Sequence, residues 1–310
     1  RLDLAPDAVT DSYELREPFR IVVDIQRGAP ASGLPPASGG AGRGITLRPS
    51  EPKATPSIEI IVIDPGHGGD ETGALGVRGG AEKDLTLELA RALRDRLRAR
   101  LPVRVALTRD EDSTLSLTAR SATANQYRAD LFVSIHLNSS LGATAHGAET
   151  YFLSIDASDE RAASSAAAEN AAPAGGGDAD ELELLLWDLA QSRHLARSQR
   201  VAMLIQQELN QTLGLRDRGV KQAPFRVLMG ANMPAVLVEL GFLSNPDEEA
   251  KLKDPGYRAE LVDALVRAIG RYRSELQPQL GDPAEAAASP SAMPAPTPTP
   301  TPTPKPRDLG

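Results

Sequence analysis

The sequence predicts an α/β domain over residues 57–275, because short apolar runs alternate there with stretches of helical periodicity. The first run, residues 58–63, is continuously apolar and leads into the turn DPGHGG, whose glycines permit a sharp bend after a buried strand. Leucines then recur every four residues from Leu85 to Leu97, which indicates a helix of about sixteen residues beginning after Asp84. Strands that alternate with helices along the chain are typical of a sheet covered by helices.

The remaining elements of this domain follow from the same two patterns. Apolar runs predict further strands, at residues 103–107, 131–135, 149–153, 225–229 and 235–240. Helical periodicity predicts further helices, over residues 115–127, 181–213 and 248–273. In the last of these helices the residues expected to face the core are Leu252, Leu261, Leu265 and Ile269.

Two segments precede the domain. In residues 1–27 the apolar residues between positions 21 and 25 alternate with other residues as in a strand. One short strand forms no core of its own, so it is either the last strand of an upstream domain or an edge strand of the main domain. Residues 28–56 are rich in Gly, Pro, Ala and Ser and predict a flexible linker. Because the sequence begins with Arg1 and not Met, we expect its true N-terminus and any signal peptide to lie outside it.

Two other segments lack a hydrophobic period. Residues 154–180 mix Ala, Ser, Asp, Glu and Gly, and predict an inserted, partly helical excursion from the sheet. Residues 277–310 form a Pro/Thr-rich tail with too little apolar surface to fold; it is either a spacer or stalk, or plain disorder. One folded domain, residues 57–276, remains between the linker and the tail.

The composition narrows the possible partners and metal ligands. The net charge of −8 and the pI near 5.2 provide no general basic surface for nucleic acid. The chain has no cysteine, so a metal would have to be bound by histidine and carboxylate. No apolar stretch approaches the roughly 18 residues that a transmembrane helix needs, so we expect no transmembrane segment in this sequence.

Four polar residues lie at or beside the edges of predicted elements. His67 follows the first strand, Glu82 precedes the first helix, His136 closes the strand at 131–135, and Glu239 lies in the run AVLVEL. Each alone fits an ordinary structural role, such as a helix-start carboxylate for Glu82. A buried carboxylate at Glu239 is unfavourable without a partner, which would be either a metal with its bound water or an arginine, for example Arg109.

Together these side chains have the composition of a hydrolytic zinc site. Two imidazoles and one carboxylate, from His67, His136 and Glu82, would hold Zn²⁺ and leave one position open for water. Glu239 would then act as general base and acid in amide hydrolysis. The spacing alone leaves a zinc peptidase or deacetylase open.

Six blocks, in this order, resemble the zinc-dependent N-acetylmuramoyl-L-alanine amidases of bacterial cell-wall hydrolysis. The blocks are IVIDPGHGG, GGAEKD, LTRDED, SIHLNSS, GAETYFL and VLVELGFLSN. The resemblance implies a twisted mixed β-sheet flanked by helices on both faces, a phosphorylase/hydrolase-like amidase fold. It also implies one Zn²⁺ held by His67, Glu82 and His136, with Glu239 as the catalytic carboxylate. The implied substrate is peptidoglycan, cut between N-acetylmuramic acid and the L-alanine of the stem peptide.

The resemblance implies regulation and location as well. Family members used in daughter-cell separation often carry an N-terminal β domain that targets the envelope, and residues 1–27 resemble its closing strand. Some have an insertion at the place of residues 154–180, which covers the zinc until an activator protein displaces it. The candidate autoinhibitory residues are Glu169, Glu181 and Glu183; the alternative is that they are ordinary solvated helix charges. We expect the protein in the cell envelope, periplasmic or extracellular.

Two other functions stay open at this point. One is a zinc amide hydrolase of different specificity. The other, from a different class, is a catalytically silent peptidoglycan-binding or regulatory module. The complete set of two histidines and two glutamates argues against a silent module, because such a module has no need of all four side chains.

Overall fold

The computed structural model describes residues 57–140, 142, 144–171, 181–214 and 217–277, together with the backbone of two strands near the N-terminus. For residues 181–192 and 213 it describes the backbone alone. The chain divides into two compact units, Arg1–Pro52 and Lys53–Gly310. The predicted linker over residues 28–56, and the predicted tail apart from residue 277, lie outside the described residues and stay predictions.

The first unit contains a two-stranded antiparallel sheet. Strand β1 covers Ala8–Arg16 and pairs along its whole length with β2, Phe19–Arg27. The prediction of a strand at residues 21–25 is confirmed by β2, but the expectation of a single strand is wrong. The partner strand AVTDSYELR was missed because its polar residues break the apolar alternation on which the prediction relied.

The second unit is built on a six-stranded mixed sheet of order β4-β3-β5-β8-β6-β7. All neighbours pair in parallel except β6 and β8, which are antiparallel. The strands are β3, Ile60–Pro65; β4, Arg104–Leu107; β5, Leu131–Asn138; β6, Glu149–Leu153; β7, Val220–Ala223; and β8, Ala235–Phe242. The predicted mixed sheet is therefore confirmed.

Helices cover both faces of this sheet. They are α1, Glu82–Arg100; α2, Leu117–Gln126; α3, Glu160–Asn170; α4, Glu181–Leu213; α5, Pro246–Lys253; and α6, Pro255–Leu276. Helices α1, α4 and α6 pack on one face, called here the α1 face. Helices α2 and α3, with a 3-10 turn at Arg226–Leu228, cover the other, the α2 face. In the part of the chain that the structure describes, no helix combines the length and apolar character needed to cross a bilayer.

The two faces are filled because side chains alternate along each strand. In the central strand β5, Val133 and Ile135 lie in the core of the α1 face, whereas Phe132 lies in the core of the α2 face. In β8, Val238 likewise lies on the α1 face and Leu237 on the α2 face. All these side chains are fully buried, as expected for parallel strands covered on both sides.

One predicted strand is wrong. Residues 225–229 form the 3-10 turn at Arg226–Leu228, and the strand at this place is β7, Val220–Ala223. Val227 and Leu228 are apolar because they are buried against the α2 face, not because they pair with a strand. The edge strand VKQA is partly exposed and carries polar residues, so its sequence lacks the continuous apolar run of a central strand.

Two predicted helix boundaries also need correction. The helix predicted over residues 248–273 is two helices, α5 and α6, separated at Asp254. Pro255 has no backbone N–H and favours the first turn of a helix, and Asp254 caps that turn by accepting a hydrogen bond from Tyr257 N at 2.8 Å. Helix α1 begins at Glu82 itself, not after Asp84, so this carboxylate lies on the first turn of the helix.

Candidate metal centre and active site

The candidate residues come together on the α2 face, at the edge where β3, β5 and β8 end. His67 lies two residues beyond β3, while His136 and Glu239 are register partners in the neighbouring strands β5 and β8. Both of these strand residues belong to the set whose side chains point towards the α2 face. Glu82 opens α1 and reaches the same point. The four side chains that the sequence singled out therefore share one site.

Two histidines and one glutamate form the centre of the cluster. His67 Nε2 lies 3.2 Å from Glu82 Oε2, and His136 Nδ1 lies 3.1 Å from Glu82 Oε1. The rings of the two histidines cross nearly at right angles, at 77°, with centroids 5.1 Å apart. A single carboxylate thus bridges two imidazoles whose nitrogens converge on one region.

Glu169 of α3 supplies a fourth group. Its Oε2 lies 3.1 Å from His67 Nε2 and 2.9 Å from His136 Nδ1. One ligand atom from each of His67, Glu82, His136 and Glu169 lies within 4.8 Å of all the others. Of the three acidic residues considered for regulation, Glu169 is placed at the histidines. The side chains of Glu181 and Glu183 lie outside the described part of the structure.

The cluster fits a cation. His67 Nε2 and Glu169 Oε2 are buried and have no hydrogen-bond partner among the described residues, although they face each other at 3.1 Å. Atoms that converge on a common point without hydrogen-bonding each other are suited to sharing a metal ion. Imidazole nitrogens and carboxylate oxygens are also among the ligands that Zn²⁺ prefers.

The charged groups of the cluster shift one another's pKa values. Burial alone would lower the pKa of His67, but Glu82 and Glu169 outweigh it and raise this pKa to about 9. For His136, too, burial is outweighed by Glu169 and Glu82, and its pKa is raised well above the ordinary value. Burial alone would raise the pKa of the Glu169 carboxyl, but the two histidines outweigh it and lower this pKa. Protons on the imidazoles supply the positive charge that the carboxylates require.

Backbone groups fix the orientation of Glu82. Ala74 N donates to Glu82 Oε2 at 2.8 Å, and Leu137 N donates to Glu82 Oε1 at 2.9 Å. Gly73 has φ +65°, and a Cβ there would lie 2.5 Å from Glu82 Oε2. The loop between His67 and Glu82 can approach the cluster only because this residue is glycine.

Two buried arginines hold the turn that carries His67. His67 has φ +57°, a left-handed conformation that L-residues other than glycine rarely adopt. Arg120 donates to the carbonyls of Pro65 and His67, at 2.7 and 2.8 Å, and pairs with the buried Asp64 at 2.9 Å. Arg109 donates to the carbonyls of Pro65 and Gly66, at 3.1 and 2.8 Å. These contacts maintain a backbone conformation that would otherwise be unfavourable.

Arg109 is therefore not the partner of Glu239 that was considered as an alternative to a metal. Its donors are directed to backbone carbonyls and Thr86, and burial lowers its pKa to about 10. Glu239 is 1% exposed, and its Oε2 has no hydrogen-bond partner in the described regions. Burial, followed by the neighbouring Glu169, raises the pKa of Glu239 well above its ordinary value. The site thus contains a carboxyl group suited to binding a proton next to the histidine cluster.

A second buried polar group adjoins the site and was not predicted. Glu149 opens β6 and is the register partner of Glu239. It accepts hydrogen bonds from Tyr151 Oη and Arg218 Nε, each at 2.5 Å, and from Lys221 Nζ at 3.3 Å. The sequence signals were a glutamate at the start of the apolar run ETYFL and two cations in RGVK. Neither signal reveals that the two segments are neighbours in the sheet.

Comparison with known proteins agrees with this geometry. A family model described as N-acetylmuramoyl-L-alanine amidase matches residues 61–271. The N-acetylmuramoyl-L-alanine amidase AmiC of Escherichia coli O6:H1 is 31% identical over 278 residues, which cover 87% of this chain and 64% of AmiC. The chain thus spans less than two thirds of the length of that relative.

Two solved structures have the same fold. The crystal structure of an N-acetylmuramoyl-L-alanine amidase from Clostridium difficile 630 is 31% identical, with a TM-score of 0.55, and the match covers 70% of this chain and 98% of that one. The CwlD amidase from Clostridioides difficile, solved in complex with the GerS lipoprotein, is 26% identical, with a TM-score of 0.54 and coverage of 70% and 99%. The resemblance of the six motif blocks is confirmed, and the chain belongs to the N-acetylmuramoyl-L-alanine amidase family.

Proposed function

We propose that this protein hydrolyses the amide bond between N-acetylmuramic acid and the L-alanine of the stem peptide in peptidoglycan. The observation that carries the proposal is the convergence of His67, Glu82 and His136 on one point, with Glu239 on the adjacent strand. Three neutral or anionic ligands beside a buried, proton-accepting carboxyl are what hydrolysis of an amide by activated water requires. The family to which the chain belongs supplies the identity of the bond.

The resident metal of this proposal is one Zn²⁺ held by His67, Glu82 and His136. When bound, such an ion polarises a carbonyl group and lowers the pKa of water to about 7. Glu82 contributes a carboxylate whose orientation is already set by two backbone N–H groups. Arg120 and Arg109 keep His67 in its left-handed turn and so direct its imidazole into the cluster.

Glu239 is the proposed proton carrier. It lies beside His136 in the sheet, and its Oε2 accepts no hydrogen bond from any described residue. As general base it would take a proton from the attacking water, and as general acid it would deliver that proton to the departing amine of L-alanine. Its burial excludes bulk water, so the proton passes between reacting groups instead of escaping to solvent.

Glu169 is proposed to reduce activity. Its carboxylate lies against both histidines, at the position a substrate carbonyl and attacking water would need. Because Glu169 belongs to α3, in the segment predicted as an insertion, movement of that helix would free the site. An activator protein acting on residues 154–180 is the proposed means, by analogy with an amidase solved in complex with a lipoprotein. The proposal for Glu181 and Glu183 stays a prediction from the sequence.

The decisive experiment is digestion of purified peptidoglycan followed by mass spectrometry. Zinc-loaded protein is expected to release intact stem peptides that begin with L-alanine. Release of disaccharides would contradict the proposal, and release of shortened peptides would favour a zinc amide hydrolase of different specificity. A silent peptidoglycan-binding module would release neither and need not purify with stoichiometric zinc.

The proposed substrate also indicates where in the cell the protein acts. A peptidoglycan amidase meets its substrate in the cell envelope, so we place the protein in the periplasm or outside the cell. Cell-wall remodelling or daughter-cell separation is the corresponding role. Fractionation of the native host with an antibody to the protein tests the location, and detection in the cytosol alone would contradict it.

A further inference from the structure

The catalytic edge of the sheet continues beyond Glu239 into a charged cleft. The strand order β5-β8-β6-β7 places His136, Glu239, Glu149 and Lys221 on successive strands, one residue from each. We propose that Lys221, assisted by Arg218, forms an anionic subsite that binds a carboxylate of the stem peptide. This inference rests on the proposed function and names the part of the substrate that the chain recognises.

The cleft is large enough for part of a peptide. It has a volume of about 520 Å³ and is lined by His146, Glu149, Asp159, Arg218 and Lys221, among others. Three strand spacings of about 4.8 Å separate β5 from β7, and Lys221 is in register with Ser134, two residues before His136. The backbones of Lys221 and His136 are therefore roughly 16 Å apart. A substrate bound at the histidines can therefore extend along the strand ends into this cleft.

Two carboxylates of the cleft neutralise its two least exposed cations. Arg218 and Lys221 are 8% and 11% exposed at their side chains, whereas Glu149 is fully buried. Both cations contact the same Glu149 oxygen, at 2.5 and 3.3 Å, so one buried negative charge faces two positive charges. The second negative charge comes from Asp159, whose Oδ2 lies 3.3 Å from Lys221 Nζ.

Asp159 is attached to the start of helix α3 and is far more exposed than Glu149. It caps the N-terminus of α3 by accepting a hydrogen bond from Ala162 N at 2.8 Å, and it is half-exposed. Two exposed residues of opposite charge, Arg161 and Asp217, also line the cleft and offset each other. If α3 moves to free the histidines, Asp159 moves with it, and Lys221 then has an ammonium group available to another carboxylate.

Helix α3 contacts both ends of the proposed substrate site, the histidines and Lys221. Asp159 at its start contacts Lys221, and Glu169 near its end contacts the histidines. Ten residues at about 1.5 Å each span roughly 15 Å, which is close to the distance of roughly 16 Å between the backbones of His136 and Lys221. The segment therefore places one carboxylate at the histidines and one at Lys221, as a substrate would place its reacting amide and a distal carboxylate.

The spacing favours one carboxylate of the stem peptide. Roughly 16 Å is the reach of about five extended residues, and the γ-linked glutamate at the second position of a stem peptide covers more than an ordinary residue. The side-chain carboxylate of a third-position diaminopimelate can therefore reach Lys221 when L-alanine lies at the histidines. A stem peptide with lysine at the third position lacks that carboxylate and places an ammonium group near Lys221 instead.

The test compares soluble disaccharide-peptides that differ at this residue. Zinc-loaded full chain and Lys221→Met are assayed with diaminopimelate-containing and lysine-containing substrates. The full chain is expected to prefer the diaminopimelate substrate by roughly tenfold in kcat/KM, mainly through KM, as a charge-assisted hydrogen bond would give. In Lys221→Met that ratio should fall to about one. Met retains most of the aliphatic side chain, and Arg218 and Tyr151 still contact Glu149.

Controls distinguish recognition of the substrate by Lys221 from a purely structural role of this side chain. Lys251→Met removes an exposed lysine on α5 and should keep the preference of the full chain. A substrate amidated at the second-position glutamate shows whether that carboxylate is the ligand instead. Each comparison is repeated with Ala166→Glu, which would bury an unpaired charge under α3 and so should release the helix together with Asp159 and Glu169. Equal losses on both substrates in Lys221→Met would overturn the proposal, because Lys221 would then only support Glu149. No hydrolysis of any substrate would contradict the proposed function instead.

Discussion

Glu239 shows how one buried side chain can be tested separately from the metal centre. Its carboxyl is buried beside His136 but is not one of the four groups that converge as ligands. Glu239→Gln has nearly the same shape and removes only the ability to exchange a proton. We expect zinc content to stay near one per chain while hydrolysis falls roughly 10²–10⁴-fold, the usual contribution of general acid–base catalysis. Zinc analysis and muropeptide hydrolysis measure the two effects.

The matched control for that variant is Glu260→Gln, which makes the same change at an exposed position of α6. It should leave both zinc content and hydrolysis unaltered. If Glu239→Gln loses zinc together with activity, Glu239 acts on the metal centre and the division of roles proposed here is wrong.

Replacement of Arg120 should lower the stability of the fold and disturb the backbone conformation of His67. It is fully buried and pairs with Asp64, whose pKa is lowered by Arg120 and by two hydroxyl groups despite burial. Arg120→Met leaves the buried Asp64 without its cation, which costs about 3–5 kcal/mol of unfolding free energy. Urea unfolding measures this loss. Arg91→Met, which breaks an exposed ion pair with Asp110, should cost no more than about 1 kcal/mol, and similar losses in both variants would contradict the prediction.

The histidine cluster should also make the metal-free protein sensitive to pH. The pKa of His67 is about 9 in the folded protein, against an ordinary value of 6.5. The protonated ring therefore stabilises the metal-free fold fully below pH 6.5, and this stabilisation is lost as pH rises through about 9. We expect the Tm of chelator-treated protein to fall between pH 7 and 9.5. Zinc-loaded protein should not show this fall, because zinc replaces the protons, and parallel curves for the two samples would contradict the prediction.

At the scale of elements, α3 can be released without altering any residue of the cluster. Ala162 and Ala166 are its buried contacts with the α2 face, and Asn170 exchanges hydrogen bonds with Pro224 and Arg226 at 2.8 Å. Ala166→Glu would bury an unpaired charge, so the helix should leave the sheet and take Glu169 with it. We expect hydrolysis of soluble muropeptides to rise severalfold, measured at fixed zinc concentration.

Ala163→Glu is the matched control, because it adds the same side chain on the exposed side of α3. It should not alter the rate. An unchanged or reduced rate in Ala166→Glu, with zinc still bound, would contradict the proposed regulation by Glu169. Glu169→Gln gives an independent measurement, since it removes the carboxylate while the helix stays in place.

The elements themselves differ in how well their sequences predict them. Central strands such as β5 are buried on both faces and have continuous apolar sequences, so their positions follow from periodicity. The edge strand β7 is partly exposed and carries two polar residues, Lys221, which lines the cleft, and Gln222, so its sequence conceals the strand. The apolar residues of the 3-10 turn then imitate a strand. Burial, and not strand formation, is what an apolar run reports.

The residues of the site also differ in how well the sequence predicts them. His67, Glu82, His136 and Glu239 could be predicted because each stands out against an apolar or glycine-rich context at an element edge. Glu149 and Lys221 could not be joined to them, since their proximity depends on β6 running antiparallel to β8 and lying between β8 and β7. Strand order is a tertiary property that local patterns do not contain.

At the scale of the whole molecule, the sheet assembles a continuous row from distant parts of the sequence. Residues 67, 136, 239, 149 and 221 lie along one edge in spatial order, although β8 comes last in the chain and pairs at the centre. All described side chains of the proposed site belong to the unit Lys53–Gly310, which has its own hydrophobic cores. Catalysis should therefore not depend on the first unit.

We predict instead that the unit Arg1–Pro52 directs the protein to its substrate in the cell envelope. Its strands β1 and β2 form a separate sheet, and the sequence of residues 1–27 predicts part of an envelope-targeting domain. A chain without this unit should hydrolyse soluble disaccharide-peptides at the rate of the full chain. On intact peptidoglycan sacculi its rate should fall roughly tenfold, because a tethering module raises the effective concentration of substrate.

Both rates must be measured on the same zinc-loaded preparations, with co-sedimentation to quantify binding to sacculi. Equal activity of the two chains on sacculi would contradict a targeting role for the first unit. Loss of activity on soluble fragments would contradict the independence of the catalytic unit, and a thermal melt of the shortened chain distinguishes damaged folding from a missing contact. A selective loss on sacculi, with unchanged zinc content and Tm, would assign location to the first unit and hydrolysis to the second.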